Sequence, residues 1–280
     1  MEWWHALVLG LVEGLTEYLP VSSTGHLLVT QRLLGIEKSD AADAFAICIQ
    51  AGAIVAVLVL YWRRVRGIAL GFVGKDPVGL QVGLNALVAF LPAAVVGLLF
   101  EKPIKHALFG GDALGLWPIV GAWFVGGVAI LGFARWHVRD PRQPQQGRPM
   151  ESLAWRGAIL IGLVQCIAMW PGVSRSLVTI VGGLLAGLSL AAAVEFSFLL
   201  GLITLGAATA LDAKKHGAEM LSQYGAPMLL LGFAAAFLSA ALAVKWMVGY
   251  LNRHGLTIFG WYRIGAAMLI GSLIWLGILH

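Results

Sequence analysis

The chain has 280 residues, of which 59% are hydrophobic and 12% are charged, and its mean hydropathy is +0.85. Soluble domains carry roughly 25% charged residues, so this composition excludes a soluble globular protein and predicts that lipid surrounds most of the surface. The net charge of +5 is interpreted as loop charge that sets membrane orientation, and no nucleic-acid partner is predicted.

In chain order, the sequence predicts a broken apolar region at 3–34, three membrane spans, a polar linker at 135–156, a second broken region at 157–188 and three further spans. The hydrocarbon core of a bilayer is about 30 Å thick, and about 20 helical residues are needed to cross it. Six segments have that length: 44–62, 81–100, 114–134, 189–211, 226–248 and 258–279. The predicted fold class is an all-α polytopic membrane protein with one integral membrane domain.

A proline interrupts each broken region. Pro20 and a polar stretch divide the first region, and Pro171-Gly172 divides the second. The shorter arms have about 14 residues and extend about 21 Å, which is too short to cross a bilayer easily. Two short helices around such a break predict a re-entrant helical hairpin, since irregular backbone is tolerated at membrane depth only inside protein or beside a wet cavity.

Basic residues give the predicted orientation, because cytoplasmic loops are enriched in lysine and arginine. The side called cytoplasmic carries eleven: Arg63, Arg64, Arg66, Lys75, Arg135, Arg139, Arg142, Arg148, Arg156, Lys245 and Arg253. The opposite side carries five: Lys38, Lys102, Lys105, Lys214 and Lys215. This arrangement makes the linker a solvated cytoplasmic loop, places both termini outside, and makes the two hairpins enter from opposite sides.

The two broken regions resemble each other in sequence. GLVEGLTEYLPVSST from Gly10 aligns without gaps with GLVQCIAMWPGVSRS from Gly162, which matches Glu13 with Gln165 and Ser23 with Arg175. The repeats are therefore 1–134 and 157–280. Together with the opposite entry of the hairpins, this predicts an inverted-topology repeat, in which a site near the bilayer midplane lies between the repeats.

Four ionisable residues are expected at membrane depth: Glu13, Glu17, His26 and Arg175. A charged side chain at a helix centre costs roughly 2.5–3.5 kcal/mol on insertion scales, so these groups must pair with one another or line a wet cavity. Glu13 and Glu17 are four residues apart and share a helix face. A structural ion pair between glutamate and arginine that joins the hairpins is the simpler alternative.

Each proline break is followed by hydroxyl residues where a new helix starts. A helix start offers free backbone N–H groups and a positive dipole end, which bind phosphate. The planar guanidinium of Arg175 matches phosphate oxygens. Ser23 and His26 are three residues apart, and a hydroxyl near an imidazole is a basic unit of nucleophilic catalysis. The predicted phosphate-binding residues are Ser22, Thr24, Gly25, Ser174, Arg175 and Ser176.

The two glutamates would repel a phosphate unless something offsets their charge. A divalent cation, Mg²⁺ or Ca²⁺, held by Glu13 and Glu17 would do so. A protonated glutamate acting as an acid would do so equally well. The sequence leaves both alternatives open.

At this point two motifs carry a resemblance to a known family. VEGLTEYLPVSSTGH and PGVSRS, in this order and in a chain of this length, resemble the undecaprenyl-pyrophosphate phosphatases of the BacA type, and the resemblance extends over the whole chain. It implies a divalent-cation-dependent enzyme of the bacterial inner membrane that converts undecaprenyl pyrophosphate to undecaprenyl phosphate. That reaction recycles the lipid carrier for peptidoglycan synthesis and is linked to bacitracin resistance.

The resemblance also implies roles for individual residues. The glutamate motif of the family falls on Glu13 and Glu17, the candidates for chemistry are Ser23 and His26, and Arg175 would bind the phosphate. Glu17 is the other residue expected to transfer protons. One departure is Leu177, where the family commonly has glycine after Ser-Arg-Ser. The expected partners are undecaprenyl pyrophosphate, related prenyl diphosphates and the bilayer, with the site open to the periplasm and a homodimer as an open alternative.

Two questions remain open in the sequence. The nucleophile is either Ser23 or water, and the same site could belong to a transporter that flips a prenyl phosphate, because inverted repeats with broken helices are typical of transporters. Other polar residues within spans receive simpler interpretations. Gln50 is expected either to pack or to support the site, and Glu195 and Arg263, near span starts, are expected to snorkel toward water.

Overall fold

The computed structural model describes residues 2–36, 39–109, 115–137 and 147–279. Its regular elements are helices, with short 3₁₀ turns at Met150–Ser152 and Cys166–Met169. The α-helices are α1 (Trp3–Thr16), α2 (Ser23–Leu33), α3 (Asp40–Leu60), α4 (Trp62–Phe72), α5 (Pro77–Phe109), α6 (Trp117–His137), α7 (Trp155–Gln165), α8 (Arg175–Leu185), α9 (Leu190–His254) and α10 (Thr257–Trp275).

Several of these helices can cross a bilayer. Within the described residues, five stretches are long and apolar enough: Pro77–Phe100, Trp117–Arg135, Leu190–Lys215, Met220–His254 and Thr257–Trp275. Ala44–Leu60 and Trp62–Phe72 meet the same criteria together but are bent by 81° at their junction, so they provide a sixth crossing if the pair is one span. The prediction of an all-α, multi-pass membrane protein is confirmed.

The basic segment after the first predicted span is a helix rather than a loop. α4 starts at Trp62, directly after Tyr61 ends α3. Its apolar residues Val65 and Ile68 pack against the main core, while Arg64 donates to Glu151 and to Glu195, each at 2.7 Å. Glu195, which was expected to snorkel, is partly exposed and forms an ion pair with α4.

α9 contains both spans predicted at 189–211 and 226–248, as two helices that meet at a kink at Gly225. Only Gly225 leaves the helical conformation, with φ 71° and ψ 156°, a region that glycine adopts without steric cost. Residues between the two spans such as Ala213, Lys214 and Lys215 are good helix formers, which explains why a helix replaces the expected loop.

The two broken regions fold as helix pairs with matching positions. α7 starts at Trp155, 152 residues after α1 starts at Trp3. α8 likewise starts and ends 152 residues after α2 starts and ends. This is the offset at which Gly10 aligns with Gly162. The helix bounds of the two broken regions therefore follow the sequence repeat, whereas the repeat of the whole halves and the inverted entry of the hairpins into the bilayer stay predictions.

Part of the predicted linker is packed rather than solvated. Residues 138–146 lie outside the described part of the chain, but Met150 and Leu153 are buried in the main core. The backbone of Arg148 pairs with Gly187 and Ser189 at 2.9 and 3.0 Å. These contacts attach the end of the linker to the α8–α9 connection, because its apolar side chains have a core surface to cover.

Candidate active site

The turns that break the two regions lie against each other. Ser176 Oγ donates to the Leu19 carbonyl at 2.8 Å, and Ser174 Oγ donates to the same oxygen at 3.4 Å. Tyr18 and Leu177 are buried in one hydrophobic cluster. Residues about 155 positions apart in the chain are thus neighbours, as the internal repeat predicts.

Each turn ends in a capped helix start. Ser22 Oγ accepts a hydrogen bond from the Gly25 N–H at 3.4 Å, and Ser174 Oγ accepts one from the Leu177 N–H at 3.2 Å. Each cap satisfies one of the free donors of the helix start. The N–H of Leu177 makes this bond while its side chain is buried. The leucine at this position therefore packs into the core without disturbing the cap.

A polar cavity of about 250 Å³ lies between the two turns. Its lining includes six of the predicted phosphate-binding or catalytic residues, together with polar residues from other helices. The polar lining residues are Glu17, Ser22, Ser23, Thr24, Gln50, Gln165, Ser174, Arg175 and Thr204. Glu13, Gly25, His26 and Ser176 are not part of the lining.

Glu17 joins the two halves of the site. Ser23 Oγ donates to Glu17 Oε2 at 2.5 Å, and Arg175 Nη2 donates to Glu17 Oε1 at 3.4 Å. Arg175 Nη1 also donates to the Ser197 carbonyl at 3.3 Å, and the guanidinium lies 5.7 Å from the centre of the Tyr18 ring. A carboxylate that already accepts from a hydroxyl is placed to remove its proton, which is the geometry expected of a general base.

His26 is held away from Ser23. Its Nδ1 lies 2.7 Å from the Ser22 carbonyl, and because a carbonyl only accepts, Nδ1 carries the proton. Its Nε2 lies 2.7 Å from the Tyr262 hydroxyl, and the ring packs against Trp123. Both ring nitrogens therefore have partners other than Ser23, so the structure pairs the serine with Glu17, and a catalytic role for His26 stays a prediction.

Glu13 lies behind Glu17 and is 1% exposed. Its Oε2 has no hydrogen-bond partner, and Glu13 lies one helical turn before Glu17. No group of three or more histidine, cysteine, aspartate or glutamate residues suited to a metal occurs within the described residues. Mg²⁺ is nevertheless often bound by one or two carboxylates with water and substrate phosphates, and the Glu13–Glu17 pair, with one unpaired oxygen, fits that donor set.

Arg263 is the main residue whose role the sequence did not predict. It is fully buried, with 0% exposure, so the expectation that it snorkels to water is wrong. Nη2 donates to the Ala122 and Gly172 carbonyls at 2.9 and 3.0 Å, and Nη1 donates to the Pro20 carbonyl at 3.3 Å. The sequence feature that indicates a buried role is the position of this arginine inside an apolar span, since a charge is retained at membrane depth only with partners.

Two glutamines also line the cavity. Gln165, the repeat equivalent of Glu13, accepts from Thr204 at 3.5 Å, and its Nε2 has no partner. Gln50, for which packing and support of the site were the two alternatives, accepts from Thr209 at 3.0 Å. Both amides therefore present polar atoms to the cavity, and their location within apolar helices is the sequence feature that indicates it.

An apolar groove of about 470 Å³ lies on the other side of the first turn. Thr16, Leu19 and Val21 face this groove, whereas Glu17, Ser22 and Ser23 face the polar cavity. Tyr262, the partner of His26, also lines the groove. The remaining lining residues are Leu15, Leu242, Ala243, Trp246, Ile258 and Phe259.

These features define a class of protein. It is a multi-pass helical membrane protein in which a serine, a glutamate and an arginine meet in a cavity between two broken helices, next to an apolar groove. The family described as "Bacitracin resistance protein BacA" matches residues 6–269. The chain belongs to the BacA family, and the resemblance seen in its motifs is confirmed.

Relatives share nearly the whole length of the chain. The chain is 46% identical over 278 residues to an undecaprenyl-diphosphatase of Sorangium cellulosum, an alignment that covers 99% of this chain and 87% of the relative. It is 44% identical over 273 residues to undecaprenyl-diphosphatase 2 of Rhodospirillum rubrum, covering 98% and 95%. It is 44% identical over 275 residues to an undecaprenyl-diphosphatase of Methylococcus capsulatus, covering 97% and 94%.

Proposed function

We propose that this chain is a membrane phosphatase that hydrolyses undecaprenyl diphosphate to undecaprenyl phosphate and inorganic phosphate. The relatives that carry this activity in their names align over nearly the whole chain. The observation that carries the proposal is the contact of Ser23 and Arg175 with the same carboxylate, Glu17. The reaction returns the lipid carrier to peptidoglycan synthesis, and removal of the diphosphate form, which bacitracin sequesters, accounts for the resistance in the family name.

In the proposed mechanism, Ser23 Oγ attacks the terminal phosphorus in line with the anhydride oxygen. A bond forms between Oγ and phosphorus, the bond to the bridging oxygen breaks, and undecaprenyl phosphate leaves. Glu17 Oε2 accepts the serine proton, since it already accepts that hydrogen bond. Water then hydrolyses the phosphoserine and releases phosphate. Direct attack by water, with Glu17 as its base, is the alternative and uses the same cavity.

Arg175 is proposed to stabilise the charge on the transferred phosphoryl group. Its side chain is 11% exposed and borders the cavity, and a guanidinium can bind two oxygens at once. The starts of α2 and α8 add backbone donors and positive dipole ends on the same side. Phosphoryl transfer depends mainly on such positioning and charge stabilisation.

A divalent cation, Mg²⁺ or Ca²⁺, is proposed to be held by Glu13 and Glu17. When bound, it would neutralise negative charge on the diphosphate oxygens. Glu13 Oε2 is a carboxylate oxygen without a hydrogen-bond partner in the described part of the chain. Glu17 also accepts from Ser23 and Arg175, so Glu13 is the residue whose role would be confined to the cation.

The lipid tail is proposed to lie in the apolar groove. The polar cavity is smaller than typical ligand pockets of about 300–1,000 Å³, so it accommodates the diphosphate and leaves the isoprenoid outside. The groove begins beside the same turn and is lined almost entirely by apolar side chains. Because burial of an isoprenoid requires no specific polar contact, related prenyl diphosphates are expected to be substrates as well.

The site is proposed to face the periplasm in the inner membrane, within an inverted repeat of two re-entrant hairpins and six spans. The support is the bias of eleven basic residues against five, together with the matched helix pairs at 3–33 and 155–185. The same matched pairs favour the second candidate, a prenyl-phosphate flippase, because broken helices in repeats bind substrates in transporters.

Phosphate release from purified protein decides between these functions. Protein in detergent is incubated with undecaprenyl diphosphate, and inorganic phosphate is measured for the wild type and for Ser23→Ala. Release by the wild type that is lost in the variant is the expected result. Absence of release, with movement of a prenyl phosphate across reconstituted vesicles, would establish the flippase instead.

A further inference from the structure

Arg263 contains a buried positive charge that pairs with no carboxylate among the described residues. Its contacts are the carbonyls of Pro20, Ala122 and Gly172, and it does not line the polar cavity. An uncompensated buried charge is costly, and charge-assisted bonds to carbonyls offset that cost only while the carbonyls stay in place. The guanidinium and the two turns therefore hold one another.

Two of these carbonyls occupy equivalent positions of the internal repeat. Gly172 follows Pro20 by 152 residues, the offset that also relates Arg175 to Ser23. Each carbonyl lies three residues before the residue proposed to act on the phosphate. One guanidinium thus fixes the two turns at matching points, directly behind the two helix starts that carry Ser23 and Arg175.

We infer that Arg263 is a positioning residue that sets the separation of Ser23 and Arg175 by holding the Pro20 and Gly172 carbonyls together. The inference rests on the proposed phosphatase function. Arg263 acts through these two turns and touches neither Ser23 nor Glu17. Its two terminal nitrogens reach three carbonyls at once, which the single nitrogen of lysine does not reproduce.

Space for the guanidinium comes from Gly126 on α6. A Cβ built at Gly126 would lie 2.5–2.9 Å from Nη2, Cζ and Nε of Arg263. Gly121 on the same helix has no atom within 4 Å of such a Cβ. The chain therefore offers a pair of identical substitutions, one that displaces the guanidinium and one that does not.

The first experiment compares Arg263→Lys with the wild type in phosphate release from undecaprenyl diphosphate. We expect kcat to fall about 100-fold, since misplacement of catalytic groups by about 1 Å has that effect. KM should stay close to the wild-type value, because the apolar tail supplies most of the binding. Asn85→Leu is the control: Asn85 Nδ2 donates to the Leu153 carbonyl at 2.7 Å, so this variant also loses a buried bond to a carbonyl, but away from the site.

The second experiment leaves Arg263 in the chain and compares Gly126→Ala with Gly121→Ala. Thermal unfolding in detergent first establishes that both variants are folded. A lower kcat in Gly126→Ala alone then supports the inference. Equal kcat in both variants overturns it. This pair decides the question if Arg263→Lys does not fold.

A double-mutant cycle separates positioning from general stability. If Arg263 acts by placing Arg175, then Arg263→Lys costs little in a chain that already contains Arg175→Lys. Fully additive losses would overturn the inference, since they indicate independent effects. A wild-type protein that releases no phosphate contradicts the proposed function, whereas wild-type release with unchanged kcat in Arg263→Lys contradicts only the role of Arg263.

Discussion

Glu17 is the residue on which the site depends most, because it contacts both Ser23 and Arg175. Sequence spacing paired Ser23 with His26, but the turn at Pro20 directs the serine toward the glutamate on the preceding helix. Glu17 thus has a direct hydrogen bond to Ser23, the proposed nucleophile, in addition to its proposed contact with a cation. Substitution of Glu17 therefore tests both its proposed proton transfer and its proposed cation binding.

Replacement of Glu17 by glutamine should lower kcat by about 10²–10⁴-fold, the range associated with loss of a general base. The amide keeps the shape of the side chain but cannot take the Ser23 proton. Phosphate release is measured over a range of Mg²⁺ concentrations. Glu195→Gln serves as the control, because that carboxylate pairs with Arg64 away from the cavity. An unchanged cation response in Glu17→Gln would restrict Glu17 to proton transfer.

Replacement of Arg175 by lysine should abolish most activity although the positive charge remains. Lysine cannot form two parallel bonds to phosphate oxygens while also reaching the Ser197 carbonyl. We expect kcat/KM to fall about 100-fold or more, the range reported for loss of one stabilising donor. Lys245→Arg, on an exposed part of α9, is the control. Turnover near the wild-type value in Arg175→Lys would refute the binding role.

Ser22 has a backbone conformation that serine rarely adopts. Its φ is 77°, and it is the one non-glycine residue with positive φ in the part of the chain that the structure describes. Such a conformation lowers the free energy of unfolding by about 1–3 kcal/mol. Replacing a serine cap by glycine lowers it by only about a few tenths of a kcal/mol.

Ser22→Gly should therefore raise the midpoint of thermal unfolding in detergent. Ser189→Gly is the matched control: Ser189 also caps a helix, but with an ordinary φ of −65°, so glycine there should lower the midpoint or leave it unchanged. A lower midpoint for Ser22→Gly would show that the Ser22 side chain contributes more than its backbone strain removes.

At the scale of elements, helix length and the two prolines were sufficient to predict an all-helical, multi-pass membrane protein with two broken regions. Spans appear in the sequence because lipid requires about 20 apolar residues in a row, and Pro20 and Pro171 mark the breaks because proline lacks an N–H. α4 was missed because three arginines dominate its composition, although its apolar residues recur at helical spacing. Secondary structure that depends on a partner surface is less visible in a single sequence.

The pairing of particular side chains could not be predicted in the same way. The bond from Ser23 to Glu17 depends on the positive φ of Ser22, and the contacts of Arg263 depend on two turns more than 90 residues away in sequence. Motif spacing brings candidate groups to one region, but the turn geometry decides which groups meet. The gathering of Glu17, Ser23 and Arg175 was therefore predictable, and their hydrogen bonds were not.

At the scale of the whole molecule, the proposed topology can be tested with single cysteines. Lys215→Cys should react with a membrane-impermeant thiol reagent added outside intact cells, and Arg156→Cys should react only after the cells are opened. Both are introduced after Cys48 and Cys166, the free cysteines within the described residues, are replaced by alanine. Labelling of both positions from the same side would contradict the inverted repeat.

The two predicted repeats are joined at the site by several hydrogen bonds. Arg263 donates to the Pro20 and Ala122 carbonyls, and Ser174 and Ser176 donate to the Leu19 carbonyl. Neither repeat contains both Ser23 and Arg175. Separate expression of 1–134 and 157–280 should therefore give no phosphate release from either half, whereas co-expression of the halves should restore some activity. Release from one half alone would show that the cavity does not require both turns.

The unequal sizes of the polar cavity and the apolar groove determine what the enzyme can distinguish. In the proposed arrangement the groove holds isoprenoid chains by burial alone, so tail length should have little effect on turnover. The cavity of about 250 Å³ is proposed to hold the diphosphate alone, so a diphosphate that still holds a sugar is expected to be a poor substrate. Carriers loaded with glycan could then share the membrane with this phosphatase and remain intact, and only carriers that have delivered their glycan would be reset for another cycle.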